Sequence, residues 1–495
     1  MNPIDIVLET DIPFAASQQL ATGHLELLYE EGRIRYIKYK GREVLRMIYP
    51  ALRDENWVTI KGEMQNEIIR AGKNGFTITY ELSYPSGYKA AFEITGSDNT
   101  ITYVMKGESL TDFKSKRVGL CVHHPILPCA GKKVNIGHED GRSASYKFPV
   151  LISPTWPFTD IISMQWTTSN ADAKLCFEGD VFETEDQRNW TDDSYKTYSG
   201  PQYKTPMLHI KKGDKMMHKI TLDVRDSMVV DALETGKPIK SSFPKIGYSR
   251  SANQLPLTPI QIELAKQLPF DHYRVAFDLD DENWKNILRE ARKEAKLFNI
   301  KIELTISANS ANRVHELVQA INNIDDIDSL LIISDEHYND ILGEIRRAFP
   351  GLKTGFGPGW FARLNEALPL AVPCDFVSFM VSPQAHQDDN RSILENLGSQ
   401  HTTIETLNDK IDDVTVHVSP IVFNHNNDDS RLHTSFAAWW TINAISNFAS
   451  TGYLTLFELT GPRGIINDEQ KPSPLYQLLK TIKDFDPVSI HKTSR

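Results

Sequence analysis

Cysteine is scarce in this chain. Only four occur among 495 residues (Cys121, Cys129, Cys176 and Cys374), scattered and in no metal-ligand spacing. That fits a reduced cytoplasm better than a disulfide framework. Basic charge is also short, with 54 Lys and Arg against 65 Asp and Glu, a net charge of -11 and no basic cluster. Nucleic acid is therefore not an expected partner. No run of about 18 apolar residues exists, so no membrane span is expected. The opening Met-Asn-Pro-Ile-Asp-Ile-Val has no basic region leading into an apolar stretch, and no signal peptide is expected. Three hydrolase and nucleotide devices are missing: Gly-x-Ser-x-Gly, His-Glu-x-x-His, and Gly-x-Gly-x-x-Gly after a strand. Serine-nucleophile, zincin and dinucleotide chemistry are thereby disfavoured.

What remains is a chain too long for one hydrophobic core. Residues 1–235 read as an antiparallel β-sandwich. Short β-branched and aromatic runs (Leu25–Tyr29, Ile34–Tyr39, Thr77–Leu82, Ala90–Ile94, Thr100–Lys106, Met217–Val224) are separated by turn signals at 31–32, 40–41, 86–87 and 97–99. A Gly, Pro and Ser-containing stretch over 226–244 reads as a linker. Residues 236–495 then alternate apolar strands with amphipathic helices. The strands fall at Lys245–Ser249, Tyr273–Phe277, Lys301–Ser307, Ser329–Ser334, Lys353–Gly357, Phe376–Ser382, Val414–Val422 and Tyr453–Leu459. The gaps hold helical stretches, among them 282–298, 391–410 and 432–450. Eight strand-then-helix repeats predict a (β/α)8 TIM barrel rather than an open sheet.

Barrel chemistry sits on loops at the carboxyl ends of strands. That rule selects Glu458 and Arg463 after strand eight, Gln384 and His386 after strand six, and Asn365 after strand five. Glu458 lies in an apolar run, where burial favours its neutral form. Its alternative is a buried ion pair with Arg274 or Arg463. His386 is followed by Asp388 and Asp389, an arrangement in which a carboxylate can orient an imidazole. Arg274 and Glu303, on strands two and three, are expected to pair inside the barrel. In the sandwich, His123, His124 and His138 lie near Glu139 and Asp140, but at spacings of no established metal motif. No metal site and no cofactor are expected, while metal dependence is left open.

The most varied polar stretch is Glu183–Tyr198, which mixes acids, bases, amides, hydroxyls and aromatics. Asp186 and Asn189 can take ligand hydroxyls, Arg188 and Lys196 can meet a carboxylate, and Trp190 can cover a sugar face. The alternative is a solvated turn anchored by one Trp.

This stretch resembles the Glu-Asp-Gln-Arg-Asn-Trp-(Ser/Thr)-Asp-x-Ser-(Phe/Tyr)-Lys-Thr-Tyr segment of the D-apionate lactonase family. Further likenesses are Arg53-Asp54-Glu-Asn-Trp57, His124-Pro125 with Cys129-Ala-Gly131, Phe361-Ala-Arg-Leu-Asn365, Ser382-Pro-Gln-Ala-His-Gln-Asp388, Ala437-Ala-Trp-Trp-Thr441 and Phe457-Glu-Leu-Thr-Gly-Pro-Arg-Gly464. Two departures stand out: Arg363 and Glu366 reverse the charges that flank the family's Leu-Asn, and Ser382 replaces an Asn. The resemblance implies hydrolysis of a sugar-acid lactone, D-apionolactone or a related aldonolactone. Glu458 or His386 would then be base and proton donor, with Arg188 or His124 at the oxyanion. Asn365 and Gln384 would bind hydroxyls, and the sandwich loop would wall the barrel mouth. Two other readings stay open. One is a glycoside hydrolase pairing Glu458 with Glu303, Asp335 or Glu336; the other is a non-catalytic sugar-binding protein.

Overall fold

The computed structural model describes residues 10–168, 171–227, 240–241, 243–308, 310, 312–321, 323–333, 337–370, 373–425, 428–484 and 490–491. Most of the linker expected at 226–244 lies outside them, as do Asp335 and Glu336. The chain divides into two compact units. One holds Ala15–Arg188 and Asp193–Glu234; the other holds Thr235–Arg495 together with Met1–Phe14 and Asn189–Asp192.

The first unit is the sandwich, built from one continuous antiparallel sheet. Its hydrogen-bonded path starts at Gln18–Thr22, runs through Arg42–Arg53, Arg117–Pro125, Ser194–Ser199 and Lys215–Asp226, and ends at Glu63–Gly72. Strands such as Tyr88–Ser97 alternate buried and exposed positions, as a half-buried strand must. The sheet doubles over, so Leu25, Ile34 and Ile37 from one end share a core with Ile78, Phe92 and Ile94 from the other. Cross-layer hydrogen bonds fix the fold-over: Tyr80 and Tyr103 hydroxyls both donate to the Gly32 carbonyl, at 3.1 and 2.5 Å.

Two mid-path strands, Arg117–Pro125 and Ser194–Ser199, are buried along their whole length. His124 is one consequence. Its Nε2 lies 2.9 Å from Thr197 Oγ1, its ring packs against Phe148 and Trp166, and burial pushes its pKa down to about 3. Lys196 is fully buried on the neighbouring strand. Arg188 closes the same region. It meets Asp186 through Nε at 2.8 Å and Nη2 at 2.7 Å, and donates to the Val150 and Pro149 carbonyls at 2.8 and 3.0 Å. The Ser153 amide donates to the same Asp186 at 3.0 Å.

The second unit is the TIM barrel. Among the described residues its cylinder is formed by eight parallel strands, Lys245–Ser249, His272–Asp278, Lys301–Ser307, Ile327–Ile333, Lys353–Phe356, Phe376–Val381, Thr415–Ile421 and Tyr453–Thr460, and the short Gly464–Ile466 pairs parallel with the last of them. Pairing of the first with the eighth, from Lys245↔Tyr453 to Ser249↔Glu458, closes the cylinder. The helices pack by the usual stripe: Trp284–Phe298 buries Trp284, Ile287, Leu288, Ala291 and Ala295. The single helix expected over 391–410 is in fact two, Asn390–Glu395 and Gln400–Lys410. The break falls at Asn396–Gly398, where Asn396 turns its side chain onto the Pro383 carbonyl at 2.7 Å.

The floor of the bore is polar and aromatic. His272, Tyr453, His417 and Phe376 stack in succession at 4.2, 4.5 and 4.2 Å. Gly355 makes room for this stack, since a Cβ there would stand 2.2 Å from the Phe376 ring. The expected Arg274–Glu303 ion pair does not form. Glu303 instead meets His417 Nδ1 at 3.0 Å and accepts from Ser419 Oγ at 2.6 Å. Burial alone would raise its pKa, but these hydrogen bonds and the nearby His417 and His272 hold it at about 2.

Two stability predictions follow from the sandwich core. Replacing Arg188 by Met strands the Asp186 carboxylate, and a loss of about 3–5 kcal/mol is expected in denaturant unfolding. His124 has a folded pKa of about 3 against roughly 6.5 when unfolded. Its contribution is therefore complete above pH about 6.5 and is lost as pH falls towards 3. Melting temperatures of His124→Gln should decline less steeply than wild type between neutral pH and pH about 4.5. Parallel declines would place the acid sensitivity elsewhere.

Candidate active site

The carboxyl ends of the barrel strands gather most of the expected residues. His386 follows the sixth strand, Glu458 lies near the end of the eighth, and Trp360 opens the helix Phe361–Glu366 after the fifth. The segment Asn189–Asp192 belongs to this unit and joins them. Three of its four residues are held by hydrogen bonds within the unit. Asn365 Nδ2 donates to Asn189 Oδ1 at 2.9 Å, and Lys410 Nζ steadies Asn365 Oδ1 at 2.5 Å. Thr191 Oγ1 donates to the Ser382 carbonyl at 2.6 Å, and Ser399 Oγ donates to the Thr191 carbonyl at 3.1 Å. Asn396 Nδ2 reaches Asp192 Oδ1 at 3.2 Å.

The chemical centre of this arrangement is His386. Its Nδ1 stands 2.7 Å from Asp192 Oδ2, with 18 % of the histidine side chain and 4 % of the aspartate side chain exposed. The orienting carboxylate thus comes from the 189–192 segment. Asp389, expected as a possible orienter, instead caps the following helix by accepting from the Ser392 amide at 3.0 Å. Trp190 lies 6.2 Å from the His386 ring and 5.7 Å from Trp360, which in turn meets His425 at 5.1 Å. These rings form an apolar wall beside a polar dyad, the pairing that suits a sugar with one apolar face.

Glu458 is half-buried, and burial raises its pKa against a hydrogen bond from Ser251 and the charge of Arg463. The ion pairs anticipated for it are not made. Arg463 donates to the Asn424 carbonyl at 2.7 Å and lies 3.7 Å from Asp428. Gln384 donates to Asp429 Oδ2 at 2.5 Å, and Arg431 grips the same carboxylate. The Gln384 Oε1 atom is buried with no protein partner among the described residues.

The structure therefore assembles His386, Glu458, Trp190, Asn189, Asn365, Gln384 and Arg463 in the barrel unit. It does not do so for His124, Asp186, Arg188 and Lys196, which belong to the sandwich unit and are buried there. Asp192 was missed, although it stands two residues after Trp190 in the polar stretch. Arg274, expected to pair with Glu303 or Glu458, forms neither ion pair, and its buried Nε has no hydrogen-bond partner among the described residues. Among the described residues, no three His, Cys, Asp or Glu side chains gather as a metal site. No helix there is long and apolar enough to cross a membrane.

Comparison with known proteins bears on this architecture. A profile described as the D-apionate lactonase N-terminal domain matches residues 6–227, and one described as its TIM barrel domain matches residues 246–427 and 422–486. The D-apionate lactonase of Brucella anthropi is 25% identical over 535 aligned residues, covering 94% of this chain and 87% of that protein. Among solved structures, a family 39 glycoside hydrolase from Bacteroides cellulosilyticus WH2 aligns at 10% identity and a TM-score of 0.36, over 76% of this chain and 81% of its own. The Slr1438 protein of Synechocystis aligns at 11% identity and a TM-score of 0.30, over 44% of this chain and 100% of its own. Matched in both domains and along nearly its whole length by the Brucella protein, the chain belongs to the D-apionate lactonase family.

Proposed function

We propose that this protein hydrolyses the lactone of a sugar acid, D-apionolactone or a related aldonolactone, in carbohydrate catabolism, with His386 as the base. The carrying observation is the 2.7 Å contact between His386 Nδ1 and Asp192 at the barrel mouth. A carboxylate on Nδ1 holds the proton there and makes Nε2 the unprotonated nitrogen, the one that can act as base. Water gives a proton to His386 as its oxygen adds to the lactone carbonyl. The tetrahedral oxyanion then collapses, the ring C–O bond breaks, and Glu458 protonates the departing alkoxide. Its raised pKa keeps more of it neutral for that step. The products are a hydroxyl and a carboxylic acid that ionises, releasing one proton per turnover.

Trp190 and Trp360 would cover the sugar face, Gln384 Oε1 would accept from a hydroxyl, and Arg463 would border the ligand. Asn189 and Asn365 support the reading indirectly by seating Asp192. A glycosidase would need a second carboxylate, and Glu303 is engaged with His417 and Ser419. The acidic balance and the reduced-cysteine pattern further support a cytoplasmic enzyme with no nucleic-acid partner.

Proton release on adding aldonolactones, run beside aryl glycosides, tests the reaction; aryl release with lactones untouched would reject it. His386→Ala should lower kcat by roughly 10²–10⁴-fold, and Asp192→Asn by a comparable factor with KM little changed. Near-normal turnover in both would remove the dyad from the mechanism. As a proton donor, Glu458 makes turnover fall as pH rises through its raised pKa. Glu458→Gln should erase that alkaline limb and lower kcat by about 10²-fold.

A further inference from the structure

TIM-barrel interiors are ordinarily filled by layers of branched apolar side chains. Here one register level reads Glu458, Ser249, Arg274, Glu303 and Ser329 across five neighbouring strands. Their direction follows from the strand alternation. Tyr273 points outward to Glu294 of the helix Trp284–Phe298, at 3.0 Å, while His272 crosses the bore to Thr455 at 2.9 Å. Arg274 therefore faces inward, and its register partners face inward with it.

Three observations set Arg274 apart from a structural arginine. Tyr273 and Val275 are fully buried, yet Arg274 between them is only partly so. Its Nε is buried without a hydrogen-bond partner, in contrast to Arg188, whose nitrogens are all engaged. Ser249, Thr305 and Ser329 are buried on the same inward face, and none of their hydroxyls has a protein partner among the described residues. Glu303 supplies the compensating charge, and its two oxygens are already taken by His417 and Ser419. The guanidinium donors are left for something else.

We propose that Arg274, with the hydroxyls of Ser249 and Thr305, forms an anion subsite in the bore that binds the carboxylate of the sugar acid. This rests on the lactonase reading, since the carboxylate is what opening of the cyclic ester creates. One of its oxygens is the former carbonyl oxygen, so the same donors face the oxyanion as it develops. The guanidinium fork matches two carboxylate oxygens, and a neutral polyol offers it no such pair. The subsite explains why the bore carries, beneath its catalytic rim, a guanidinium whose donors have no acceptor among the described residues.

Calorimetric titration of the full-length protein with sodium D-gluconate, beside neutral D-glucitol, tests the subsite. Wild type is expected to bind gluconate and to bind glucitol at least tenfold more weakly. Arg274→Gln should raise the gluconate Kd tenfold or more without moving the glucitol Kd, while Arg274→Lys recovers part of the affinity. Thermal melts report whether each variant is folded, and Ser249→Ala gives a milder second test should Arg274→Gln not fold. Equal gluconate affinity in wild type and a folded Arg274→Gln, or in wild type and Ser249→Ala when Arg274→Gln does not fold, would overturn the proposal. So would no gluconate binding by a wild type that opens lactones, and that result would leave the lactonase reading intact. Arg274-dependent gluconate binding by a protein that opens no lactone would keep the subsite and reject the reaction.

Discussion

The contact on which the candidate site depends is the hydrogen bond between His386 and Asp192. An imidazole alone at a barrel mouth can carry its proton on either nitrogen and has no fixed plane. A buried carboxylate on Nδ1 removes that ambiguity, setting both tautomer and orientation. Asp192 can do so because its segment is seated by Asn365, Ser399 and Asn396, and by its own Thr191 hydroxyl on Ser382. Each bond is ordinary in strength. Together they fix a short segment that would otherwise lose much conformational entropy on ordering. The charged switch at Arg363 and Glu366 leaves Asn365 buried and bonded, so the anchor survives the departure from the family pattern.

The barrel bore follows a second constraint. Charged groups inside a low-dielectric wall must be paired, hydrogen-bonded or hydrated. Glu303 satisfies this through His417 and Ser419, with the aromatic stack packed around it. Arg274 has no such acceptors among the described residues: it is partly buried, and its Nε has no hydrogen-bond partner. A fully packed bore would have stabilised the fold more simply. The polar layer is the kind of local departure from packing rules that functional sites make.

Most of the architecture was legible before any coordinates. The eight barrel strands fall within about two residues of their expected bounds at each end, because βα repeats combine apolar runs with a switch to helical period. Helix 391–410 was read as continuous because Asn396 and Gly398 are tolerable helix residues. What breaks it is the side chain of Asn396, which bonds back to the Pro383 carbonyl and to Asp192. The surroundings of Arg188 and His124 were hidden from the sequence for a related reason. Their polarity suggested a ligand, yet Arg188 serves Asp186 and three carbonyls, and His124 sits among aromatic rings.

By itself the sequence determined the two fold classes, the order of the domains, the rim candidates Glu458 and His386, and the family. Periodicity, loop position and local polar motifs are properties of neighbours along the chain, and they carry that information. Only the tertiary structure decided that Asp192 rather than Asp388 or Asp389 orients His386, that Glu303 turns to His417, and that Arg274 is left with free donors. Those outcomes depend on which side chains a closed cylinder brings within about 3 Å, a distance across which sequence separation has no bearing.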